Sequence, residues 1–370
     1  MEIIAVLIII AAVIIIEQII FSRLVLKNLT YTVRFSKNEA MEGDTIEIIE
    51  EIVNDKRLPV PWVKTELITS KWLEFAGTQT IKTSDMRFVP SVFSLRPHQK
   101  CTRTRKVVAM KRGNFRLESA SIVGSDLLGI VSVSNALAID EGIRILPAPH
   151  EVAVSGLSQE ELFGELTTRR FICDDPFLIS GAREYTGREP MNRIHWNSTA
   201  RTGRMMAFNN DYTTQNRAAV IINMQKTDSR AEDPLMTGDI ETFIKTAAFL
   251  LDTLSVSGAS TDLYTNGSGV ICRKGGSEQG EYLDLMRVLS DFDITVDRSF
   301  DDFLDDIGHS EGLLSDRTDI IIITAYIDDY MKNFAADMRR SGKSVVFYCN
   351  DNTVDDSHLL RIGRIGRFYN

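Results

Sequence analysis

The sequence predicts an α+β multidomain chain: an N-terminal transmembrane helix, an antiparallel β-sandwich, then a doubly wound α/β domain. Three observations carry this expectation. The chain opens on an apolar run, residues 31 to 150 read as strands without helices between them, and after residue 215 strand and helix patterns alternate. A chain of 370 residues is also longer than one compact core usually holds. The boundaries expected are 1–25 for the anchor, 26–150 for the sandwich, 151–215 for a connector and 216–370 for the α/β domain.

The first element is "MEIIAVLIIIAAVIIIEQIIF". From Ile3 to Phe21 it is interrupted only by Glu17 and Gln18. A helix over residues 3–21 spans about 28 Å, close to the ~30 Å hydrocarbon core of a bilayer. A secretory signal peptide would place basic residues ahead of the run and a small-x-small cleavage site behind it, and neither is found. No Lys or Arg precedes the run, whereas Arg23, Lys27, Arg34 and Lys37 follow it. The positive-inside rule then predicts a single-pass protein of the cell membrane with its C-terminal domains in the cytoplasm. Four scattered cysteines, Cys101, Cys173, Cys272 and Cys349, fit a reducing compartment, and their spacing makes no zinc site.

The sandwich is predicted from "YTVRF", "DTIEIIEEIVN", "WVKTELI", "MRFVPSVFSL", "CTRTRKVVAM", "NFRLESASIV" and "IVSVSNALAI". These runs are rich in β-branched and aromatic residues and are separated by turn signals such as Arg112-Gly113-Asn114. Between Arg96 and Arg116 stand eight Lys or Arg and no acid. That run reads either as a solvated strand face or as a basic surface lying against anionic lipid. The net charge of −9 excludes a general nucleic-acid binder.

The α/β domain is predicted from "AAVIINM" and "TDIIIITA", continuous apolar runs of buried parallel strands, and from "KSVVFYC". Between them, "GDIETFIKTAAFLLDTLSVSG" places Ile240, Phe243, Ile244, Ala247, Leu251 and Leu254 on one helical stripe. Ligands of such sheets bind beyond the carboxyl ends of the strands, here "NMQKTDSR" and "TAYIDDY". Neither loop carries GxGxxG or GxxxxGK[ST], and Asn223, Gln225, Thr227, Asp228, Thr324, Asp328 and Asp329 form a thin ligand set for a hard cation. The run "DFDITVDRSFDDFLDD" holds seven aspartates without EF-hand spacing and reads as a solvated loop and helix face. Cys173 and His195 make no recognisable catalytic constellation, and no HExxH pair occurs. No catalytic residue, metal, cofactor or small-molecule substrate is expected.

The connector contains "REYTGREPMNRIHWNSTARTGRMMAF". Its arginines, Arg183, Arg188, Arg193, Arg201 and Arg204, read either as a clamp for phosphate or carboxylate or as partners of nearby acids, with Tyr185, Ile194 and Trp196 packing beneath. The same stretch resembles the signature of the domain-of-unknown-function 58 (DUF 58) family. In that family Arg-x-Tyr is followed by a Pro-Gly-Asp turn, then Arg-x-Ile-(Asp or His)-Trp and Ala-Arg. Arg183, Tyr185, Arg193, Ile194, His195, Trp196, Ala200 and Arg201 match, and Gly187-Arg188-Glu189 replaces the turn. "RGNFRLESASIVGSDLLGI" and "IRILPAP" are similar to further segments of the family.

The resemblance implies a membrane anchor, a β-sandwich and a von Willebrand factor A-like domain. It also implies a MoxR-type AAA+ ATPase as partner in envelope processes. The metal site of a von Willebrand A domain uses Asp-x-Ser-x-Ser and a later Asp; the corresponding positions here are Asn223, Gln225, Thr227 and Ala325. Without the two carboxylates, tight Mg²⁺ binding is not expected. The leading expectation is a membrane-anchored, non-enzymatic adaptor docking an ATPase. The alternative is a hydrolase or phosphate-handling enzyme using His195 and the arginines.

Overall fold

The computed structural model describes residues 2–149 except 78–79 and 127–128, then 174–185, 191 and 194–212, and in the last third 217–226, 237–256, 258–267, 272–274, 279–292, 296, 298–309, 318–349 and 361–364. It is a mixed α/β molecule with an N-terminal apolar helix and several antiparallel sheets. Two compact units are resolved. Met1–Ala148 with Met286–Phe292 form the first, and Pro149–Leu285 with Asp293–Asn370 the second.

Helix α1 (Glu2–Leu24) is long and apolar enough, over Ile3–Leu24, to cross a membrane. Most of its large apolar side chains are exposed, as in a segment whose natural solvent is not water. Its last turns differ. Phe21 and Val25 are buried in the core of the sandwich, and Ile14, Glu17 and Gln18, on the same helical stripe, are half-covered.

Ten strands follow: β1 (Leu29–Phe35), β2 (Glu39–Met41), β3 (Thr45–Asn54), β4 (Val60–Ser70), β5 (Leu73–Phe75), β6 (Ile81–Lys82), β7 (Met86–Leu95), β8 (Gln99–Ala109), β9 (Gly113–Ser125) and β10 (Ser132–Leu146). They build a four-stranded sheet, β1-β3-β8-β5, and a six-stranded sheet, β2-β10-β9-β4-β7-β6. All pairings are antiparallel except β2 with β10. Alternate residues turn inward, Tyr31, Val33 and Phe35 from β1 and Ile46, Ile48 and Ile52 from β3, and join one core with Val63, Leu67, Val89 and Phe93.

Glu50 occupies an inward position of β3 and is fully buried. Its carboxylate accepts hydrogen bonds from Ser91 Oγ at 2.9 Å and Tyr31 Oη at 3.3 Å, and Arg105 Nε stands 3.6 Å away. Burial, and then the Glu50 charge, push the Tyr31 hydroxyl well above the ordinary tyrosine range.

The second unit begins with the hairpin of β11 (Asp174–Glu184) and β12 (Met206–Tyr212), which carries helix α2 (Trp196–Thr202) between its strands. The main sheet follows: β13 (Arg217–Ile222), helix α3 (Thr237–Val256), β14 (Ser260–Thr265), β15 (Cys272–Lys274), helices α4 (Gln279–Asp291, whose residues from Met286 onward belong to the first unit) and α5 (Phe300–His309), β16 (Thr318–Thr324), helix α6 (Asp329–Arg340), β17 (Val345–Cys349) and β18 (Arg361–Arg364). The strand order is β15-β14-β13-β16-β17-β18. Five strands are parallel, and β15 is antiparallel. Only residues 266–271 join β14 to β15, too few for a helical crossover, so the chain reverses. Helix α3 packs on β13, β14 and β16. Helices α5 and α6 bury Phe300, Phe303, Leu304, Ile307, Met331 and Ala335 with the odd-numbered side chains of β13 and β17. The aspartate run thus lies partly on an amphipathic helix, with Asp305 and Asp306 exposed and the phenylalanines inward.

The seat of α1 on the sandwich is tight. A Cβ at Gly124 would stand 2.8 Å from Val25 Cγ2 and 3.1 Å from Leu26 Cδ2. Gly124→Val is therefore expected to lower unfolding free energy by about 1–3 kcal/mol through overpacking. Part of that loss should return in the double variant with Val25→Ala, and urea denaturation in detergent measures both.

Candidate functional site

The order of the six-stranded sheet, counted along the chain, is 3-2-1-4-5-6. Its connections leave β13 in opposite directions, so the topological switch point lies between β13 and β16, where ligands of open α/β sheets bind beyond the carboxyl ends. The residues after these two strands are those singled out from the sequence: Asn223 and Gln225 after β13, Thr324 and Ala325 at the end of β16.

The structure brings the first three together. Asn223, Gln225 and Thr324 are all buried. Asn223 Nδ2 donates to Thr324 Oγ1 at 3.0 Å, and Asn223 Oδ1 accepts from the Gln225 amide N–H at 2.9 Å. Thr324 Oγ1 donates in turn to the Tyr326 carbonyl at 2.9 Å. Asn266, at the end of β14, closes the set: its Oδ1 accepts from the Met224 N–H at 2.8 Å, and its Nδ2 reaches Asn223 Oδ1 at 3.4 Å and the Arg298 carbonyl at 3.3 Å. Gln225 Oε1 accepts from the Phe300 N–H at 2.8 Å and from Tyr326 Oη at 3.4 Å. Ala325 is half-buried and offers no ligand atom, and Thr227 lies outside the described residues.

This constellation is neutral and occupied by its own bonds. The first turn of α5, whose free N–H groups would attract an anion, is already served. Gln225 takes the Phe300 N–H, and Ser299 Oγ takes that of Asp302 at 3.2 Å. Asp328, a carboxylate on the second loop, caps α6 by accepting from the Met331 N–H at 2.8 Å. Asp329 points to solvent, where the Lys332 ammonium beside it holds its carboxyl below the usual range. Among the described residues, no group of three or more His, Cys, Asp or Glu could hold a metal ion. Asn266 was missed from sequence; an asparagine closing the strand "YTN" was its one signal.

The connector motif builds a different object. Ile194 bridges to Ala207, and both are buried. His195 is the N-cap of α2: its Nδ1 accepts from the Ser198 N–H at 3.0 Å, its own N–H donates to the Met206 carbonyl at 2.8 Å, and its ring lies 4.6 Å from that of Phe208. Thr199 Oγ1 accepts from the Met206 N–H at 3.0 Å, and Gly203, in the left-handed region, ends the helix. Trp196 does not pack beneath the arginines as expected but is 61% exposed, whereas Ile194 is only 1% exposed. A tryptophan at the first position of a helix points away from the bridge that Ile194 makes.

Tyr185 donates its N–H to the Met205 carbonyl at 3.0 Å. Arg183 and Arg201 are exposed, Arg204 pairs with Glu184 at 3.1 Å, and Arg193 and the turn Gly187-Arg188-Glu189 lie outside the described residues. The motif is a capped helix inside a hairpin, with its one histidine nitrogen that faces Ser198 committed to the cap.

No protein-family model and no curated protein matches the chain. Among solved structures it is similar to a non-cellulosomal cohesin from Archaeoglobus fulgidus, at 18% identity over 37% of this chain and 97% of that one, TM-score 0.22. A CARDB domain from Pyrococcus furiosus, solved with di-metal ions, matches at 12% identity over 31% and 94%, TM-score 0.20. A proximal thread matrix protein of the mussel byssus matches at 12% identity over 36% and 38%, TM-score 0.27.

Two outcomes test these assignments. Asn223→Ala removes an acceptor and a donor from buried partners and should cost about 1–3 kcal/mol in chemical denaturation. Titration of the full chain with Mg²⁺ should give no saturable heat, and micromolar affinity would contradict a site filled by its own amides.

Proposed function

We propose that the chain is a membrane-anchored, non-enzymatic adaptor whose von Willebrand A-like α/β domain docks a MoxR-type AAA+ ATPase in cell-envelope processes. One observation carries the reading. The crevice at the switch point, where an enzyme of this architecture would keep its chemistry, is filled by Asn223, Gln225, Asn266 and Thr324 bonded to one another. The 3-2-1-4-5-6 strand order supports a doubly wound domain of this type, and the apolar α1 supports the anchor. The DUF 58-like motif supports the family and hence the ATPase. Its exposed Arg183, Trp196 and Arg201 offer side chains of the kinds enriched in protein interfaces. Arg23, in the last turn of the helix, and Lys27, just after it, favour cytoplasmic placement of both units.

The enzymatic alternative is separated by His195→Asn. Asparagine is a good N-cap, so the variant should keep the stability of the hairpin while removing the imidazole. An adaptor retains function, and a hydrolase using His195 loses turnover by orders of magnitude.

Crosslinking and pull-down from native membranes should recover an AAA+ ATPase, and repeated failure to do so would sink the adaptor reading. Whole-cell labelling by a membrane-impermeant thiol reagent should leave the cysteines unmodified; modification would reverse the orientation.

A further inference from the structure

Resting on the membrane anchor proposed above, we infer that the end of the sandwich from which α1 departs is a binding surface for anionic phospholipid headgroups. Strand register defines that end. Leu29 pairs with Asn54 and Asn54 with Gln99, Val60 with Leu95, Trp62 with Ser125, and Ser125 with Ser132. Loops 55–59 and 96–98, with the described residues 126 and 129–131, therefore share the end where the chain enters β1.

Direct bonds hold the first two loops there. The Asp55 N–H donates to the Asn28 carbonyl at 3.0 Å, and Lys56 Nζ to the Val25 carbonyl at 2.9 Å. Asn54 Nδ2 ties the first two loops together through the carbonyls of Leu58 and Arg96. Burial lowers the affinity of the Lys56 ammonium for its proton, as expected of a cation enclosed by the joint.

The position of this end along the helix places it at a bilayer surface. The bonds to the carbonyls of Val25 and Asn28 set these loops at the level of the residues that directly follow α1. With the apolar run spanning the hydrocarbon, they stand at headgroup depth. The side chains exposed there match that layer. Arg23, Lys27, Arg57 and Arg96 are exposed, and among the described residues none of the four forms an ion pair. Trp62 is 58% exposed and Ile130 62% exposed on the same end. An aromatic ring with an apolar neighbour and unneutralised cations is the composition that settles at a membrane interface.

The structure also divides the basic run of residues 96–116. Arg103 stacks on Phe93, Arg105 serves Glu50, and Arg112 is buried. Lys106, whose strand position pairs with Glu47, and Arg116 stand toward the other end. Only the beginning of the run reaches the lipid.

The test uses the full chain in nanodiscs, with Trp72→Phe and Trp196→Phe leaving Trp62 as the one tryptophan. Lipid brominated near the top of the acyl chain should quench Trp62 fluorescence by a third or more in discs containing phosphatidylglycerol. Quenching should fall by at least half in pure phosphatidylcholine, in 1 M salt, where screening shortens to about 3 Å, or on Arg57→Glu with Arg96→Glu. Lys106→Glu with Arg116→Glu, the same charge change elsewhere on the sandwich, should leave it unaltered. Absence of quenching in correctly inserted protein overturns the inference, as does quenching indifferent to lipid charge and salt. If alkaline carbonate strips the chain from its membrane, the anchor itself fails and takes this inference with it, an outcome distinct from the other two.

Discussion

The seating of Val25 over Gly124, held by Lys56, is the contact on which the organisation of the first unit turns. A transmembrane segment joined through a flexible linker would leave the soluble part free to tumble near the bilayer. Here Phe21 and Val25 belong to the same core as Val33, Ile48 and Leu67, so the C-terminal end of the helix is anchored in the sandwich. Removing each of these two side chains from water contributes roughly 1.5–3 kcal/mol, and the absence of a side chain at Gly124 is what lets Val25 and Leu26 approach. The chain thus passes from the helix into β1 through a packed joint, and the Lys56 and Asp55 bonds tie the neighbouring loop to that joint.

Much of this architecture was readable because periodicity is a local property. The seven principal strands of the sandwich and the alternation in the last third follow from which side chains avoid water, and each registers within a few residues. Glu50 was not readable. In "TIEIIEEIVN" Glu50 falls in phase with Ile46, Ile48 and Ile52, but nothing there shows what would satisfy a buried acid, because its partners Tyr31, Ser91 and Arg105 come from three other strands. The seat at Gly124 was hidden for the same reason, since 99 residues separate it from Val25.

The site divides along the same line. Asn223, Gln225 and Thr324 were recognisable by their place after buried strands, yet the meaning of the substitution became visible only in space. Asparagine and glutamine side chains both donate and accept, and such groups can satisfy one another. Asn266 belongs to the set through a strand that is adjacent in the sheet but 43 positions away in the chain. His195 shows the converse. Its residue type invites a chemical role, whereas the local backbone uses it as a cap, a task usually given to Ser, Thr, Asp or Asn.

The amide cluster has one more consequence. Primary amides neither gain nor lose a proton across the range in which cells live, so the bonds among Asn223, Gln225 and Asn266 do not change with acidity. A carboxylate site at the same place would open and close with acidity and with the supply of divalent cations. With Asn223, Gln225 and Asn266 instead, the end of the sheet keeps one pattern of donors and acceptors.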